Sequence, residues 1–168
     1  MIYNSTIENI LTTQGEVIFK IQGKSMLPML RPNCDLVVIK RLNGRTVNIG
    51  DVCLYKTVKG LTLHRVVGTL ENGTYIMLGD NSSNKEENVS HSVIIGILDG
   101  FYKNNIYYSK DNAKYICYIH TLSSDHTRIY RKRLYDIMKR ILEILGIPLP
   151  SSVKTILSNF AQCKYEWS

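Results

Sequence analysis

The sequence lacks several features that would assign a chain to a class at once. Its 168 residues include one tryptophan and four prolines, and none of its four cysteines forms a Cys-x-x-Cys pair or lies at zinc-finger spacing from a histidine. No apolar run approaches the roughly 20 residues needed to cross a bilayer. The N-terminus has neither a basic start nor an apolar stretch of the secretory type. If residues 1–168 are the whole chain, we expect no zinc module, no disulfide framework, no exported precursor and no N-terminal membrane anchor.

The cysteines and the charge add two expectations. Cys53 lies in an alternating apolar segment and Cys34 beside one, which predicts two small core residues in a reducing, cytoplasmic compartment. The net charge is +7 and is concentrated late in the chain: residues 1–100 have 10 basic and 9 acidic residues, and residues 101–168 have 11 and 5. Such an asymmetry is compatible with an anionic partner or with a merely solvated face. Without an RNA-binding motif, we expect no nucleic-acid partner.

Short apolar runs separated by turn residues predict a mainly β, mostly antiparallel body. The predicted strands are 17–21, 36–39, 52–55, 62–67, 75–78 and 93–98. Asn72-Gly73 is a strong hairpin signal. Runs 106–108 and 115–118, on either side of Asp111-Asn112, predict a last hairpin.

Two helical segments are predicted at the ends of the chain. A capping box at 5–8 predicts a short helix that buries Ile7, Ile10 and Leu11 and ends at Gly15. A helical apolar stripe between basic residues predicts an amphipathic helix over 128–145, and a shorter one is predicted after Ser151. We therefore predict a β domain over 1–122 and a basic helical segment over 123–168. Its stripe is expected to pack on the β body, with a membrane surface or a protein partner as the alternative.

Three segments contain residues suited to acyl transfer. Ser25 follows a strand in a turn with Gly23 and Pro28, where backbone N–H groups can hold an oxyanion. His64, within a strand, has the natural pKa of a general base for a serine hydroxyl. Asp80, in a Gly-Asp-Asn turn, could orient the imidazole as the third member of a triad. Taken singly, each residue is more often structural: a turn serine, a core histidine and a turn aspartate.

Together, these segments resemble the type I signal peptidase clan, in particular its branch with a Ser–His pair. The sequence GKSMLPML around Ser25 resembles the Ser-Met-x-Pro nucleophile box, and GDVCLY at 50–55 resembles the Gly-Asp strand that follows it. The sequence LHRVV around His64 resembles the His-Arg-Val box, 39 positions after Ser25, and LGDN at 78–81 resembles the Gly-Asp-Asn box. Order and spacing agree over roughly residues 17–98.

The resemblance implies a fold and a set of roles. It implies a signal peptidase/LexA-like β body with a short N-terminal helix and a C-terminal helical appendage. Ser25 would be the nucleophile and His64 the general base, with the backbone N–H groups of Ser25 and Gly23 as oxyanion donors. Met26 and Leu27 would line shallow pockets for small substrate side chains.

The third member is left open by the resemblance. In the Ser–His branch the acid often lies six residues beyond the Gly-Asp-Asn aspartate, and here that position is Glu86. We favour Asp80 because a strand end fixes it, whereas Glu86 is expected in a solvated loop.

The function expected from this resemblance is that of a serine endopeptidase. Its substrate would be a leader- or signal-like peptide or precursor protein, and it would need no metal or organic cofactor. The family's membrane anchor has no counterpart in this sequence, so we expect a cytoplasmic enzyme, with peripheral membrane contact through 128–145 as an option. Two alternatives remain: an inactive peptide-binding or scaffolding module on the same fold, and a LexA-like self-cleaving regulator. The regulator would need a lysine base and an N-terminal helix-turn-helix, neither of which is apparent.

Overall fold

The structure, a computed structural model, describes residues 2–122, 137 and 140–146. Its elements in chain order are α1 (Ile2–Gln14), β1 (Glu16–Lys20), β2 (Leu36–Arg41), β3 (Val52–Thr57), β4 (Gly60–Thr69), β5 (Tyr75–Leu78), β6 (Glu86–Val89), a 3-10 turn (His91–Val93), β7 (Ile94–Lys103), β8 (Ile106–Ser109) and α2 (Ala113–Leu122). The prediction of a mainly β, antiparallel fold with a short N-terminal helix is confirmed. No helix within the described part of the chain is long and apolar enough to cross a membrane.

The strands form one antiparallel sheet in the order β1-β2-β7-β3-β4-β5-β6, with β8 also paired to β7. Alternation along β3 and β4 divides the buried side chains between two clusters. Leu54 and Leu63 contribute to the cluster that α1 and α2 cover. Cys53 and Tyr55 belong to the other cluster. Since His64 pairs with Cys53 in the β3–β4 ladder, it shares the face of Cys53 and Tyr55.

The N-terminal helix is confirmed, but its start differs from the prediction. The helix begins at Ile2, so the capping box at 5–8 does not mark its first turn. Ile7 and Leu11 are buried and Ile10 is partly buried, as the stripe predicted. Gly15 ends the helix with φ of 77° and donates its N–H to the Leu11 carbonyl at 3.1 Å.

The predicted last hairpin is wrong. Residues 115–118 lie in α2, where Tyr115 and Tyr118 fall on one face and are buried in the core. The partner of β8 is β7, across a turn at Asn104 and Asn105, which both have positive φ. Two asparagines in the left-handed region are typical of a tight hairpin turn, and this signal outweighs Asp111-Asn112.

The cysteines and the C-terminal segment give mixed outcomes. Cys53 is buried as predicted, whereas Cys34 is exposed because it lies in the loop before β2 rather than in the core. Most of the 123–168 segment, including the predicted helix after Ser151, lies outside the described residues. Within 128–145, residues 137 and 140–144 are helical, and the stripe residues Ile137 and Ile141 are exposed where the structure describes them.

Candidate active site

The loop between β1 and β2 carries Ser25 and is held from two other elements. The ammonium of Lys103, near the end of β7, donates to the carbonyl oxygens of Pro28 and Met29 at 3.1 and 2.9 Å. The N–H of Asn81, just after β5, donates to the carbonyl oxygen of Ser25 at 2.6 Å. These bonds fix the backbone of the serine turn against the sheet.

Ser25 and His64 converge on one point in front of Gly79. A Cβ built on Gly79 would lie 2.9 Å from the Cβ of Ser25 and 3.0 Å from Nε2 of His64. The serine side chain and this imidazole nitrogen therefore both pack against Gly79 and lie close to each other, and a side chain at position 79 would force them apart. His64 makes its side-chain hydrogen bond through Nδ1, to Tyr55, and within the described residues none joins Nε2 to Ser25 Oγ. The structure thus brings together the two residues that the sequence paired.

The other imidazole nitrogen of His64 faces a hydroxyl and a carboxylate. Nδ1 lies 3.0 Å from the hydroxyl oxygen of Tyr55 and 3.4 Å from Oε1 of Glu86. The Tyr55 hydroxyl in turn donates to Oε2 of Glu86 at 2.9 Å. Glu86 was predicted to lie in a loop, but it is the first residue of β6, where it pairs with Met77 of β5.

Asp80 occupies a different environment from the one predicted. Both of its oxygens accept from Arg65, from Nε at 2.9 Å and from Nη2 at 2.8 Å. The Tyr118 hydroxyl of α2 also donates to it, at 3.0 Å. The pair is fully buried, and each further proton of the Arg65 guanidinium finds an acceptor such as the Gly50 carbonyl at 2.7 Å. Our preference for Asp80 over Glu86 is therefore corrected: Asp80 is committed to Arg65, and Glu86 is the carboxylate that contacts Nδ1 of His64.

The predicted oxyanion donors lie at the start of the serine turn. Gly23 adopts φ of 84°, a conformation that favours glycine, and a Cβ at this position would meet no atom within 4 Å. Within the part of the chain that the structure describes, the N–H groups of Gly23 and Ser25 donate no hydrogen bond. Both groups therefore remain able to receive a developing oxyanion.

A groove adjoins Ser25. It has a volume of about 190 Å³ and lies between the serine loop, which contributes Gln22, Ser25 and Met26, and residues 61–63 of β4. Among the described strands, β1 pairs only with β2, and residues 60–64 of β4 pair only with β3. Met26 forms part of the groove wall, as predicted, whereas Leu27 is not among the described residues that line it.

Burial sets the ionisation of the central groups. Loss of hydration lowers the pKa of His64, and the charges of Glu86 and then Asp80 oppose this shift without reversing it. Burial, followed by the neighbouring Glu86 carboxylate, raises the pKa of the Tyr55 hydroxyl. At neutral pH the imidazole is therefore available as a base and the phenol keeps its proton.

Tyr55, Arg65 and Lys103 were given no role in the sequence analysis. Tyr55 lies in a predicted strand, but its position beside His64 depends on the pairing of β3 with β4, which the sequence analysis did not predict. The burial of Arg65 and Lys103 had no signal in the sequence, since isolated basic residues usually remain exposed. No group of three metal-binding side chains occurs within the described ranges.

Comparison with known proteins adds no family to these observations. No protein-family model matches the chain, and no curated protein and no solved structure is significantly similar to it. The resemblance to the signal peptidase clan consequently rests on the four sequence boxes, and the function below rests on those boxes and on the geometry of the site.

Proposed function

We propose that the protein is a serine endopeptidase of the signal peptidase type, with Ser25 as nucleophile and His64 as general base. The observation that carries the proposal is the proximity of Ser25 Cβ and His64 Nε2, which both lie against Gly79. Because Gly79 has no side chain, a serine and a histidine that are distant in sequence can lie beside each other, as proton transfer from Oγ to Nε2 requires.

The reaction follows from these positions. Ser25 Oγ attacks the peptide carbonyl carbon while its proton passes to Nε2 of His64, and the N–H groups of Gly23 and Ser25 receive the oxyanion. The imidazolium then protonates the leaving amine as the peptide C–N bond breaks. In the second half, water attacks the acyl-enzyme carbonyl while His64 takes a proton from it. The bond between the acyl carbon and Ser25 Oγ then breaks, His64 returns the proton to Oγ, and the new carboxyl group is released.

The groove favours an extended peptide as substrate. One wall is formed by 61–63 of β4, a stretch that pairs with β3 on one side only, so a peptide can add to its other edge as a strand. The resemblance to the signal peptidase clan favours short side chains before the cut. These features support a leader- or signal-like segment as the substrate. We also propose a cytoplasmic location, with peripheral attachment to a membrane surface through 128–145 as an option. Liposome flotation with and without acidic lipid tests the attachment.

The test is a paired measurement of labelling and cleavage. A fluorophosphonate probe, which transfers its phosphonyl group to an activated serine with loss of fluoride, should label the wild type at Ser25. Ser25→Ala should abolish labelling, and both Ser25→Ala and His64→Ala should lower cleavage of peptides with small residues before the cut by at least about 10³-fold. Ser109→Ala and His91→Ala are the matched controls and should retain both signals. Cleavage that survives in both site variants would refute the assignment.

A second candidate function is a non-catalytic peptide-binding module, which the same groove supports. Such a module would bind an extended peptide in a fluorescence anisotropy assay but would neither react with the probe nor cleave. A self-cleaving regulator would instead shorten its own chain, which intact-mass measurement of purified wild type and Ser25→Ala detects. The three outcomes are mutually distinguishable with one set of proteins.

A further inference from the structure

We propose that Tyr55 is a positioning residue whose hydroxyl fixes the tautomer of His64 by bridging Nδ1 of the imidazole and the carboxylate of Glu86. The catalytic consequence rests on the proposed function, but the tautomer itself is measurable whether or not the protein is an enzyme. The arrangement joins Ser25, His64, Tyr55 and Glu86 into one chain of neighbours from the groove to the edge strand β6.

The direction of the hydrogen bonds follows from counting protons. A phenol has one proton to donate, and an ionised carboxylate can only accept. The Tyr55 hydroxyl therefore donates to Oε2 of Glu86 at 2.9 Å. Its oxygen must then accept at 3.0 Å from His64, which requires the proton of the neutral imidazole to lie on Nδ1. The second nitrogen, Nε2, is left with a free lone pair.

That lone pair lies where the chemistry needs it. Nε2 is the imidazole atom that lies beside Ser25, against Gly79. When Nε2 takes the serine proton, the imidazolium keeps its Nδ1 proton, Tyr55 keeps its own, and the positive charge is balanced by the nearby Glu86 carboxylate. With the opposite tautomer Nε2 would already bear a proton and could not act as a base.

Tyr55 is better placed than Glu86 to set this tautomer. The Glu86 side chain is 42% exposed, and its own approach to Nδ1, at 3.4 Å, is long for a hydrogen bond. Tyr55 is 1% exposed and its ring is held in the core by the β3–β4 register, so its hydroxyl cannot turn to water. Glu86 consequently acts mainly through Tyr55: by accepting its hydrogen bond, Glu86 keeps the phenol O–H pointing away from the imidazole.

The experiment measures the ¹⁵N chemical shifts of the His64 ring above its pKa, together with kcat and KM, in four variants. Glu86→Ala removes the acceptor, so the Tyr55 proton becomes free to point at Nδ1 and should move the imidazole proton to Nε2. Glu86→Gln retains a carbonyl acceptor and should preserve the wild-type tautomer. Tyr55→Phe leaves Nδ1 without the phenol oxygen and should give a mixture of tautomers. Tyr75→Phe removes a similar tyrosine contact, to Nδ1 of His91 at 3.3 Å, and is the matched control.

The expected kinetic result is a fall in kcat of about 10²-fold for Glu86→Ala and Tyr55→Phe, with KM little changed, because the base and not the groove is altered. Glu86→Gln should recover most of the loss, and Tyr75→Phe should behave as the wild type. Wild-type ¹⁵N shifts in both Glu86→Ala and Tyr55→Phe would overturn the proposal. So would equal losses in Glu86→Gln and Glu86→Ala, since a direct charge effect would then suffice.

Two further outcomes are separated by the design. If Tyr55→Phe fails to fold, the two Glu86 variants decide the question, because they alter a half-exposed residue at the edge of the sheet. If the wild type neither cleaves nor reacts with the fluorophosphonate probe, the proposed function fails. A tautomer change in Glu86→Ala but not in Glu86→Gln would still support the positioning role of Tyr55.

Discussion

Replacing Gly79 with alanine would place a methyl group between the two residues that the proposed mechanism needs. The new Cβ would lie 2.8 Å from the carbonyl oxygen of Ser25, 2.9 Å from its Cβ and 3.0 Å from Nε2 of His64. The first two atoms belong to a turn that Asn81 holds by a hydrogen bond at 2.6 Å. The methyl group therefore cannot be accommodated by rotating one flexible side chain, and the serine turn and the histidine must move apart.

The magnitude follows from the size of the overlap. Relieving contacts of this kind needs shifts of several tenths of an ångström on each side, and overpacking typically costs about 1–3 kcal/mol of stability. A displacement of about 1 Å between reacting groups lowers a rate by roughly 10²-fold. We therefore expect Gly79→Ala to lose about 10²-fold in kcat/KM and in the rate of fluorophosphonate labelling while remaining folded.

Gly68→Ala is the matched control for Gly79→Ala. Gly68 lies in β4, and a Cβ at this position would lie 3.3 Å from Cδ1 of Ile76, the flexible end of a side chain. Circular dichroism and urea unfolding check the fold of both variants, and peptide cleavage and probe labelling check the site. Full activity in a folded Gly79→Ala protein would show that the reaction does not depend on the close approach of Ser25 and His64 at Gly79.

Three more predictions concern buried groups. Because burial holds the pKa of His64 below its ordinary value of 6.5, the acidic limb of kcat/KM should lie below pH 6.5, and a limb above this pH would contradict the site. The same shift contributes stability that is present above pH 6.5 and is lost as the pH falls towards the folded-state pKa. Asp80→Asn leaves the Arg65 guanidinium buried without its counter-charge. Urea titrations should show that the free energy of unfolding falls by about 3–5 kcal/mol. A loss under about 1 kcal/mol would argue against a structural role for this ion pair. Since burial raises the pKa of the Cys53 thiol to about 12, iodoacetamide should alkylate exposed Cys34 in the native protein and Cys53 only after unfolding, as peptide mapping can show.

Local patterns were sufficient for most of the sheet. Alternating apolar runs, turn residues and the 106–108 run identified seven of the eight described strands, because each signal depends on neighbours in sequence. Tyr115 and Tyr118 were assigned to a strand because aromatic residues favour strands, yet their spacing also suits a helix face. Only docking against the core, where both are buried, decides between the two. The edge strand β6 was missed because its sequence, Glu-Glu-Asn-Val, is polar and depends on pairing with β5.

The site shows the same division between local and distant information. Ser25 and His64 were found from short motifs, and the fold brings them together. The choice between Asp80 and Glu86 could not be made from motifs, because it depends on which carboxylate a buried arginine takes. Arg65 is adjacent in sequence to His64 but points to the other face of β4, where it binds Asp80. The carboxylate fixed at the strand end is thereby used for structure, and the one from the edge strand is left for the histidine.

The contact between Tyr118 and Asp80 has a consequence for how the chain can be divided. Although α2 comes after the last strand, its Tyr118 hydroxyl donates a hydrogen bond to Asp80, which forms a buried ion pair with Arg65. Arg65 is the immediate neighbour of His64 in sequence. A fragment that stopped at β8 would contain every motif of the proposed peptidase and would still expose that pair to water. We therefore expect a fragment that folds independently to need α2 as well as the strands.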